Sequence, residues 1–566
     1  MSLEPSRRSL SDMTQCHYPG GMTRTDPRAD AASAAPATIA ATESTPDPRR
    51  WKALGVLAVA LGLIVLDGSI VSVALPDIIR GLDLTLTDAQ WVNSLYAVIF
   101  SALLLLSGRL GDRIGRRTML VIGVAVFTIA SVVAGLAGSA AALIMARLVQ
   151  GIGGAMIMPS TLSTVNATFR GKERAAAFGV WGAVMSGAAA LGPLLGGFLT
   201  STFSWRWIFF VNVPIGAGVI AGALAWVLNT RSQADAQGSR GGSDVLGALL
   251  SGVGLGLLVF GIIESSSLGW WSEKAPLEML GATVHGPGGL SLVPIVLAVA
   301  AVLLTLFLLR ESRRIRAGRD VLLDLRLFSI PAFRWGNLTA GTVAIGEFGL
   351  LFVLPLYLVD VRGMGTMQAG LVLAAMALGA FVSGASARHL AARFGAPMTV
   401  IIGLALEVIG VAALGLLVTP DLSIWIVVAV LVVYGIGLGL ASAQLTSTVL
   451  ADVPTDQSGQ GSATQSTVRQ LGTALGASIA GALLSAGLTS GASGWTGQAA
   501  GMAKAVHDSA GSALIGFRAK GAPDAVMGQL DSLFADASRW AMLGAGAFLV
   551  LGLVGALRVA QVARRG

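Results

Sequence analysis

Charged residues are scarce in this sequence. Asp, Glu, Lys and Arg make up 12% of the 566 residues, whereas a soluble globular protein carries about 25%. Apolar side chains account for 54%, and the mean hydropathy is +0.76. No polar stretch after Arg50 is long enough to form a soluble domain. The composition therefore excludes a string of soluble domains and indicates a membrane protein.

Cysteine and histidine are almost absent. The single cysteine, Cys16, excludes an intramolecular disulfide and a cysteine-based metal site. The four histidines, His17, His285, His389 and His507, are scattered through the tail and the loops, without the spacing of a catalytic or metal-binding set. A membrane-embedded enzyme, such as an acyl or glycosyl transferase, is therefore a weak alternative. A channel or sensor is another, but no receptor domain or pore loop is visible. We expect no metal and no cofactor.

Long apolar runs fill the chain after its polar tail. About fourteen of them have the roughly 18 to 25 residues that a helix needs to cross a bilayer. They begin near Trp51, Ala89, Thr118, Leu143, Ala175, Trp207, Val245, Leu290, Phe333, Gln368, Pro397, Leu422, Thr467 and Trp540. The sequence therefore predicts an all-α membrane protein.

A repeated loop divides these spans into two sets of six. The segment 108–117 follows the second span, and a degraded copy at 388–395 follows the tenth. If two central spans are set aside, each copy follows the second span of its half. Two six-helix halves with a binding site between them are typical of transporters. We predict a disordered tail at 1–50, a first half at 51–230, a linker with two extra spans at 231–325, and a second half at 326–566 with a long extracytoplasmic loop at 490–538.

Basic residues are concentrated in alternate loops. Lys and Arg cluster before the first span, after spans two, four, eight and ten, and at the C-terminus. By the positive-inside rule these loops are cytoplasmic, which predicts that both termini face the cytoplasm from the cell membrane. The net charge of +8 then reflects membrane topology, and we expect no nucleic-acid partner.

The loop after the second span carries a pattern of glycines around charged residues. Its glycines allow a tight turn between two helices, and its aspartate can pair with neighbouring arginines as a latch that breaks in another state. A purely topological basic loop is the alternative. The loop resembles the signature loop of the major facilitator superfamily, and this resemblance implies roles for Gly108, Gly111, Asp112, Arg113, Gly115, Arg116 and Arg117. Ala392 replaces the aspartate in the second copy, so we expect a one-sided latch.

Two charged residues lie inside the spans of the first half. Asp67 is at membrane depth in the first span, where a charge costs about 2.5–3.5 kcal/mol, so we predict that it exchanges a proton. The segment around it resembles the first-helix motif of the fourteen-span drug–proton antiporters of the superfamily. Arg147, with Gln150, resembles the fourth-helix motif and is predicted to tune a nearby carboxylate. The alternatives are an interfacial helix cap for Asp67 and a snorkelling side chain for Arg147.

The fifth span contains a proline flanked by glycines, which predicts a bent helix with one smooth face. The segment resembles the motif that is restricted to antiporters of the superfamily, and this resemblance favours export. It implies roles for Gly179, Gly192, Pro193, Gly196 and Gly197. We expect the smooth face to pack against a helix of the opposite half and to seal one end of the cavity.

Two glutamates lie inside spans of the second half. Glu347, in the ninth span, is predicted to handle protons or cations, because the corresponding helix of the superfamily lines the cavity. Glu407, in the more peripheral eleventh span, is assigned a structural role. The segment from Arg469 to Gly472 resembles the thirteenth helix of the drug–proton antiporters.

The resemblance implies a proton-coupled antiporter that exports small lipophilic molecules, cationic ones among them, by alternating access. It implies no cofactor beyond the proton gradient, and we expect a monomer in the bilayer. Whether the substrate is a drug, a self-made metabolite or a lipid stays open, because a weakly charged cavity does not distinguish among these compounds.

Overall fold

Helices dominate the computed structural model, which describes residues 48–169, 171–229, 244–279, 282–319, 321–454 and 458–563. The predicted disordered tail lies almost entirely outside these residues. The helices of the first part are α1 Arg50–Leu82, α2 Leu86–Ile114, α3 Arg116–Gly135, α4 Ala140–Thr168, α5 Gly171–Thr202, α6 Trp207–Phe210 and α7 Asn212–Trp226. Helices α6 and α7 together form one span, Trp207–Trp226.

Two central helices follow, and then the helices of the second part. The central pair is α8 Val245–Leu268 and α9 Leu292–Arg316. The others are α10 Pro331–Leu356, α11 Thr366–Phe394, α12 Ala396–Leu417, α13 Ile424–Val449, α14 Ser458–Gly491, α15 Gly497–Asp508, α16 Ala513–Ala519 and α17 Asp524–Ala563. Short strands β1 Leu277–Met279 and β2 Ala282–Val284 pair antiparallel between α8 and α9. Single turns occupy Pro287–Gly289, Leu325–Ser329 and Tyr357–Val361.

The predicted spans all correspond to long helices. Within the described residues, 12 segments are long and apolar enough to cross a membrane. Helices α2 and α5, with 29 and 32 residues, are long enough as well. Large apolar side chains such as Ile129, Leu136 and Trp425 remain exposed on the outer surface, where lipid can cover them. The all-α membrane fold predicted from the sequence is confirmed.

The internal repeat extends well beyond the loop that revealed it. Gly115 alone joins α2 to α3, and Gly395, 280 residues later, alone joins α11 to α12. Both have positive φ angles, 107° and 86°, a conformation in which a side chain would be strained. Helices α2 and α11 have the same length, 29 residues, and the same 280-residue interval separates their ends. The two halves are therefore copies of one scaffold.

The central pair lies beside both halves. Helix α8 packs against α2 and α14, and α9 packs against α8, so neither completes a six-helix half. Asp244 caps α8 by accepting a hydrogen bond from the Gly247 amide at 2.9 Å, and it pairs with Arg310 and Arg314 of α9 at 2.9 and 3.2 Å. Burial alone would raise the pKa of Asp244, but the hydrogen bonds from Arg310 and Gly247 lower it below its ordinary value.

The segment 490–538, predicted as a long extracytoplasmic loop, has helices of its own. It contains α15, α16 and the beginning of α17. Its apolar residues are spaced on helix faces rather than gathered in a membrane-length run, and Val506, Leu514 and Leu530 are buried among the other helices. The sequence did not reveal these helices, because low overall hydropathy does not distinguish an irregular loop from a short amphipathic helix. The extracytoplasmic location of the segment stays a prediction.

Candidate functional site

Asp67 lies at the centre of a dry polar cluster inside the first half. Its carboxylate is 0% exposed and pairs directly with the Arg147 guanidinium. Gln150 and Asn212 donate hydrogen bonds to its other oxygen at 3.1 and 3.0 Å. Both amides also donate to the Ser131 hydroxyl, at 2.8 and 3.1 Å. The cluster therefore links α1, α3, α4 and α7 through one carboxylate.

Arg147 does not snorkel toward an interface. Its side chain is 1% exposed, and its remaining donors reach the Gln150 side chain at 3.0 Å and the Val92 carbonyl at 3.2 Å. Its guanidinium carbon lies 4.2 Å from the centre of the Tyr96 ring. A charge this deep is tolerated only when it is paired and hydrogen-bonded. The predicted pairing of Arg147 with a carboxylate is what the structure shows.

The Asp67 carboxylate supplies the negative charge that holds Arg147, while Gln150, Val92 and Tyr96 also contact the guanidinium. The contact between α1 and α4 therefore depends on the charge of one carboxylate.

The kinked helix α5 packs closely on α1. A methyl group at Gly192 would lie 1.9 Å from the Ser69 hydroxyl oxygen, and one at Gly196 would lie 3.0 Å from the Ile70 side chain and carbonyl. Ser69 and Ile70 are two and three residues after Asp67. The expectation that this smooth face meets the opposite half is therefore wrong for Gly192 and Gly196, whose neighbours belong to the same half.

Pro193 and Gly197 occupy the other side of α5 and do contact the second half. A methyl group at Gly197 would lie 3.1 Å from Met367 Cα of α11, and one at Gly370 would lie 2.5 Å from the Pro193 carbonyl. Helix α5 thus packs between α1 and α11 at glycines whose surroundings leave no room for a side chain. Gly179 also lies in α5, but its surroundings are outside the described side chains.

The signature loop forms the end of α2, the junction at Gly115 and the start of α3. Gly108 packs beside Pro159, Gly111 lies against Met119, and Arg116 donates to the Ser163 carbonyl at 3.0 Å. The loop thus rests on α4. Arg117 lies in the first turn of α3. The side chains of Asp112 and Arg113 are outside the description, so their pairing stays a prediction.

Glu347 occupies the position in the second half that Asp67 occupies in the first. The two residues are separated by 280 residues, the interval that also relates α2 to α11. Glu347 faces an arginine too, since its Oε2 lies 3.6 Å from Arg469 Nη2. Its side chain is 6% exposed and that of Arg469 is 40% exposed. This pair is therefore looser and more exposed than the Asp67 cluster.

A second polar group, not identified from the sequence, joins the two halves where α1 ends and α11 begins; we call this the far end. Asp77 near the end of α1 pairs with Arg80 and accepts a hydrogen bond from Thr366, the first residue of α11. Arg80 also lies 3.7 Å from buried Asp360. Arg518 of α16 donates to the Asp360 carbonyl at 2.7 Å.

The first turns of α2 add to the same closure. Ser94 hydrogen-bonds with the Ala474 carbonyl and the Ser478 hydroxyl of α14, at 3.1 and 2.9 Å, and Gln90 donates to the Ser478 carbonyl at 3.1 Å. Together with the Asp77 group, these bonds close the bundle at its far end. Across the described part of the chain, no group of three or more His, Cys, Asp or Glu residues could hold a metal ion.

Two repeated six-helix halves with a buried ion pair in one and a second acid–arginine pair in the other define a membrane transporter. The chain belongs to the Major Facilitator Superfamily, whose sequence model matches residues 57–477. Its family and fold are those of transporters rather than enzymes. A bacterial homologue of the human lysosomal transporter Spinster, in an inward-facing and occupied conformation, shares this fold, with a TM-score of 0.58 and 20% identity over 91% of this chain and 97% of that one.

Several relatives are resistance proteins. The tetracenomycin C resistance and export protein of Streptomyces glaucescens is 31% identical over 446 residues, which is 77% of this chain and 76% of that protein. The puromycin resistance protein pur8 of Streptomyces alboniger is 33% identical over 454 residues, 79% of this chain and 84% of that one. The multidrug resistance protein Stp of Mycobacterium tuberculosis is 32% identical over 443 residues, 78% and 77% of the two chains. These relatives confirm the predicted resemblance to drug-efflux members of the superfamily.

Proposed function

We propose that the protein is a proton-coupled antiporter that exports small lipophilic molecules across the cell membrane, with both termini in the cytoplasm. The observation that carries this proposal is the buried pair of Asp67 and Arg147. A charge pair in a dry site is expensive to maintain unless it has a use. The pair has such a use if the Asp67 carboxylate binds and releases one proton beside the fixed positive charge of Arg147.

The coupling runs along α1 and α5. Protonation of Asp67 loosens α1 from α4. Because Ser69 and Ile70 are packed on Gly192 and Gly196, a shift of α1 at Asp67 is transmitted directly to α5. Pro193 and Gly197 carry that shift to the start of α11 at the far end. Protonation can in this way open a closure that lies at some distance from the proton.

The conformation supports export from the cytoplasm. With the orientation predicted from the basic loops, the far end faces outward, and Asp77, Thr366 and Ser94 take part in closing it. We therefore infer that the binding space faces the cytoplasm in this conformation. A substrate would enter there, and protons arriving from outside would reset the transporter. The latch loop at 108–117 would close the cytoplasmic end in the opposite state.

The substrates we propose are drugs or similar lipophilic compounds, cationic ones among them. A self-made metabolite is the second candidate, because one relative's name joins resistance to export of tetracenomycin C. A panel of dyes and antibiotics, applied to cells with and without the gene, separates the two. Resistance to several unrelated compounds that disappears when the proton gradient is collapsed supports drug–proton antiport. Resistance that survives the collapse would reject proton coupling.

A further inference from the structure

Glu407 of α12 is a buried carboxyl group that the proposed mechanism does not use. It is 0% exposed, and neither of its side-chain oxygens has a hydrogen-bond partner in the described part of the chain. In the Asp67 cluster, by comparison, each charged or amide side chain has at least one hydrogen-bond partner. An ionised carboxylate in such a place would be strongly unfavourable, whereas a protonated carboxyl group is far easier to bury.

A second acidic residue, Glu347, lies near Glu407. Glu347 and Arg469 lie close enough to Glu407 for their charges to act on it, and Tyr434 of α13 lies beside both glutamates. Glycine makes room for the side chain, since a methyl group at Gly437 would lie 3.0 Å from Glu407 Cγ. Glu347 lies on α10 and Glu407 on α12, and α13, which carries Tyr434, packs against both of these helices.

The exposed fraction of the side chain decreases from Arg469 through Glu347 to Glu407. The side chain of Arg469 is 40% exposed, that of Glu347 is 6% exposed, and Glu407 is fully buried. Glu347 is therefore the more accessible of the two acids, and Glu407 is the more deeply buried. Two buried acids near a single positive charge hold one negative charge more easily than two, so they share a proton.

We propose that Glu347 and Glu407 form a second proton-binding site, in which Glu407 holds a proton in the conformation described here and passes it to Glu347 during transport. One proton moves from Glu407 to Glu347, the negative charge moves the opposite way, and Arg469 stays near whichever glutamate is ionised. The coupling part of this proposal rests on the proposed antiport, but the protonation of Glu407 does not.

The protonation itself is tested without any substrate. Infrared spectra of the purified protein near neutral pH are compared between wild type and Glu407→Gln, with Glu264→Gln of α8 as the matched control. Glutamine has nearly the shape of a protonated glutamate and should fold normally. We expect Glu407→Gln to lose one carbonyl band of a protonated carboxyl group and Glu264→Gln to keep it. A spectrum of Glu407→Gln that loses only an ionised-carboxylate band would overturn the proposal.

The coupling is tested by a measurement that a purely structural role would not move. The protein is reconstituted in proteoliposomes with the membrane potential clamped at zero, and a pH gradient is imposed. The ethidium gradient at which net flux is zero is then measured for several pH gradients. The slope of the logarithm of the ethidium gradient against the pH difference gives the number of protons exchanged per ethidium molecule. We expect the slope of Glu407→Gln to fall by one proton relative to wild type. An unchanged slope would overturn the coupling role. A wild-type slope of zero would reject the proposed antiport, and the infrared result alone would then decide whether Glu407 holds a proton.

Discussion

Asp67 and Glu347 stand at equivalent positions of the two repeated halves, and each faces an arginine, but only one of the two pairs is sealed. Asp67 is in direct contact with Arg147 and is fully buried, whereas Glu347 lies 3.6 Å from an arginine that is 40% exposed. One scaffold thus carries two different acid sites. The sealed site suits a switch between helices, and the open site suits contact with protons or substrates.

Arg147 should be needed for folding as long as Asp67 is ionised. Arg147→Leu leaves a buried carboxylate without its positive partner, which typically costs about 3–5 kcal/mol. We expect a large loss of thermal stability in detergent, and recovery of most of it in the double variant Arg147→Leu with Asp67→Asn. Transport should stay absent in both. If Arg147→Leu alone were as stable as the wild type, the ion pair would not contribute to stability.

The contact between α5 and α1 should tolerate no side chain at Gly192. Alanine normally stabilises a helix by about 1 kcal/mol relative to glycine, but at this position its methyl group would collide with Ser69. We expect Gly192→Ala to abolish efflux in everted vesicles while the protein still inserts, and Ser69→Gly to restore part of it. Gly187→Ala, on the same helix with nothing within 4 Å, is the control and should transport normally. Full efflux by Gly192→Ala would contradict the close packing.

The far end should open during each cycle. Asp77 and Thr366 are hydrogen-bonded across the halves, and Cys16 is the single cysteine of the chain. In a Cys16→Ser background, we expect oxidation of the pair Asp77→Cys and Thr366→Cys to cross-link the halves and stop efflux, and reduction to restore it. Each single-cysteine variant is the control. Unchanged efflux after complete cross-linking would mean that the far end does not have to open.

The charge of Glu347 should matter most for cationic compounds. Glu347→Gln keeps the shape of the side chain but removes the negative charge that faces the open space. We expect export of cationic dyes to fall further than export of neutral ones, with Glu264→Gln as a control outside both halves. An equal loss for both kinds of compound would mean that Glu347 acts only through the proton that it shares with Glu407 and does not attract cationic substrates.

The sequence allowed the first-half site to be predicted in part. Asp67, Arg147 and Gln150 are charged or amide residues in apolar helices, and such residues are visible without a structure. Asn212 was not assigned a role from the sequence. Ser131 gave no signal, because a serine in an apolar helix is common and becomes significant only when two amides donate to it.

The missing information concerns which helices become neighbours. The glycines of α5 predicted a smooth face, but spacing within one helix does not say which helix covers that face, and Gly192 was assigned to the wrong half. Glu407 was assigned a structural role because its helix is peripheral. Its proximity to Glu347 depends on how α10, α12 and α13 pack, which no local pattern encodes.

Proton-driven transport by the purified protein tests the central role of Asp67 most directly. Wild type and Asp67→Asn are reconstituted in matched proteoliposomes, and uptake of a transported dye against its gradient is followed after a pH gradient is imposed. An amide at this position still hydrogen-bonds to its neighbours but cannot exchange a proton. We predict strong uphill uptake by the wild type and much weaker uphill uptake by Asp67→Asn, which loses the proton that Asp67 carries and keeps only the second proposed site. Asp67→Asn should retain downhill exchange of the dye. Uphill transport by Asp67→Asn at the wild-type level would contradict the assignment of Asp67 as the coupling residue.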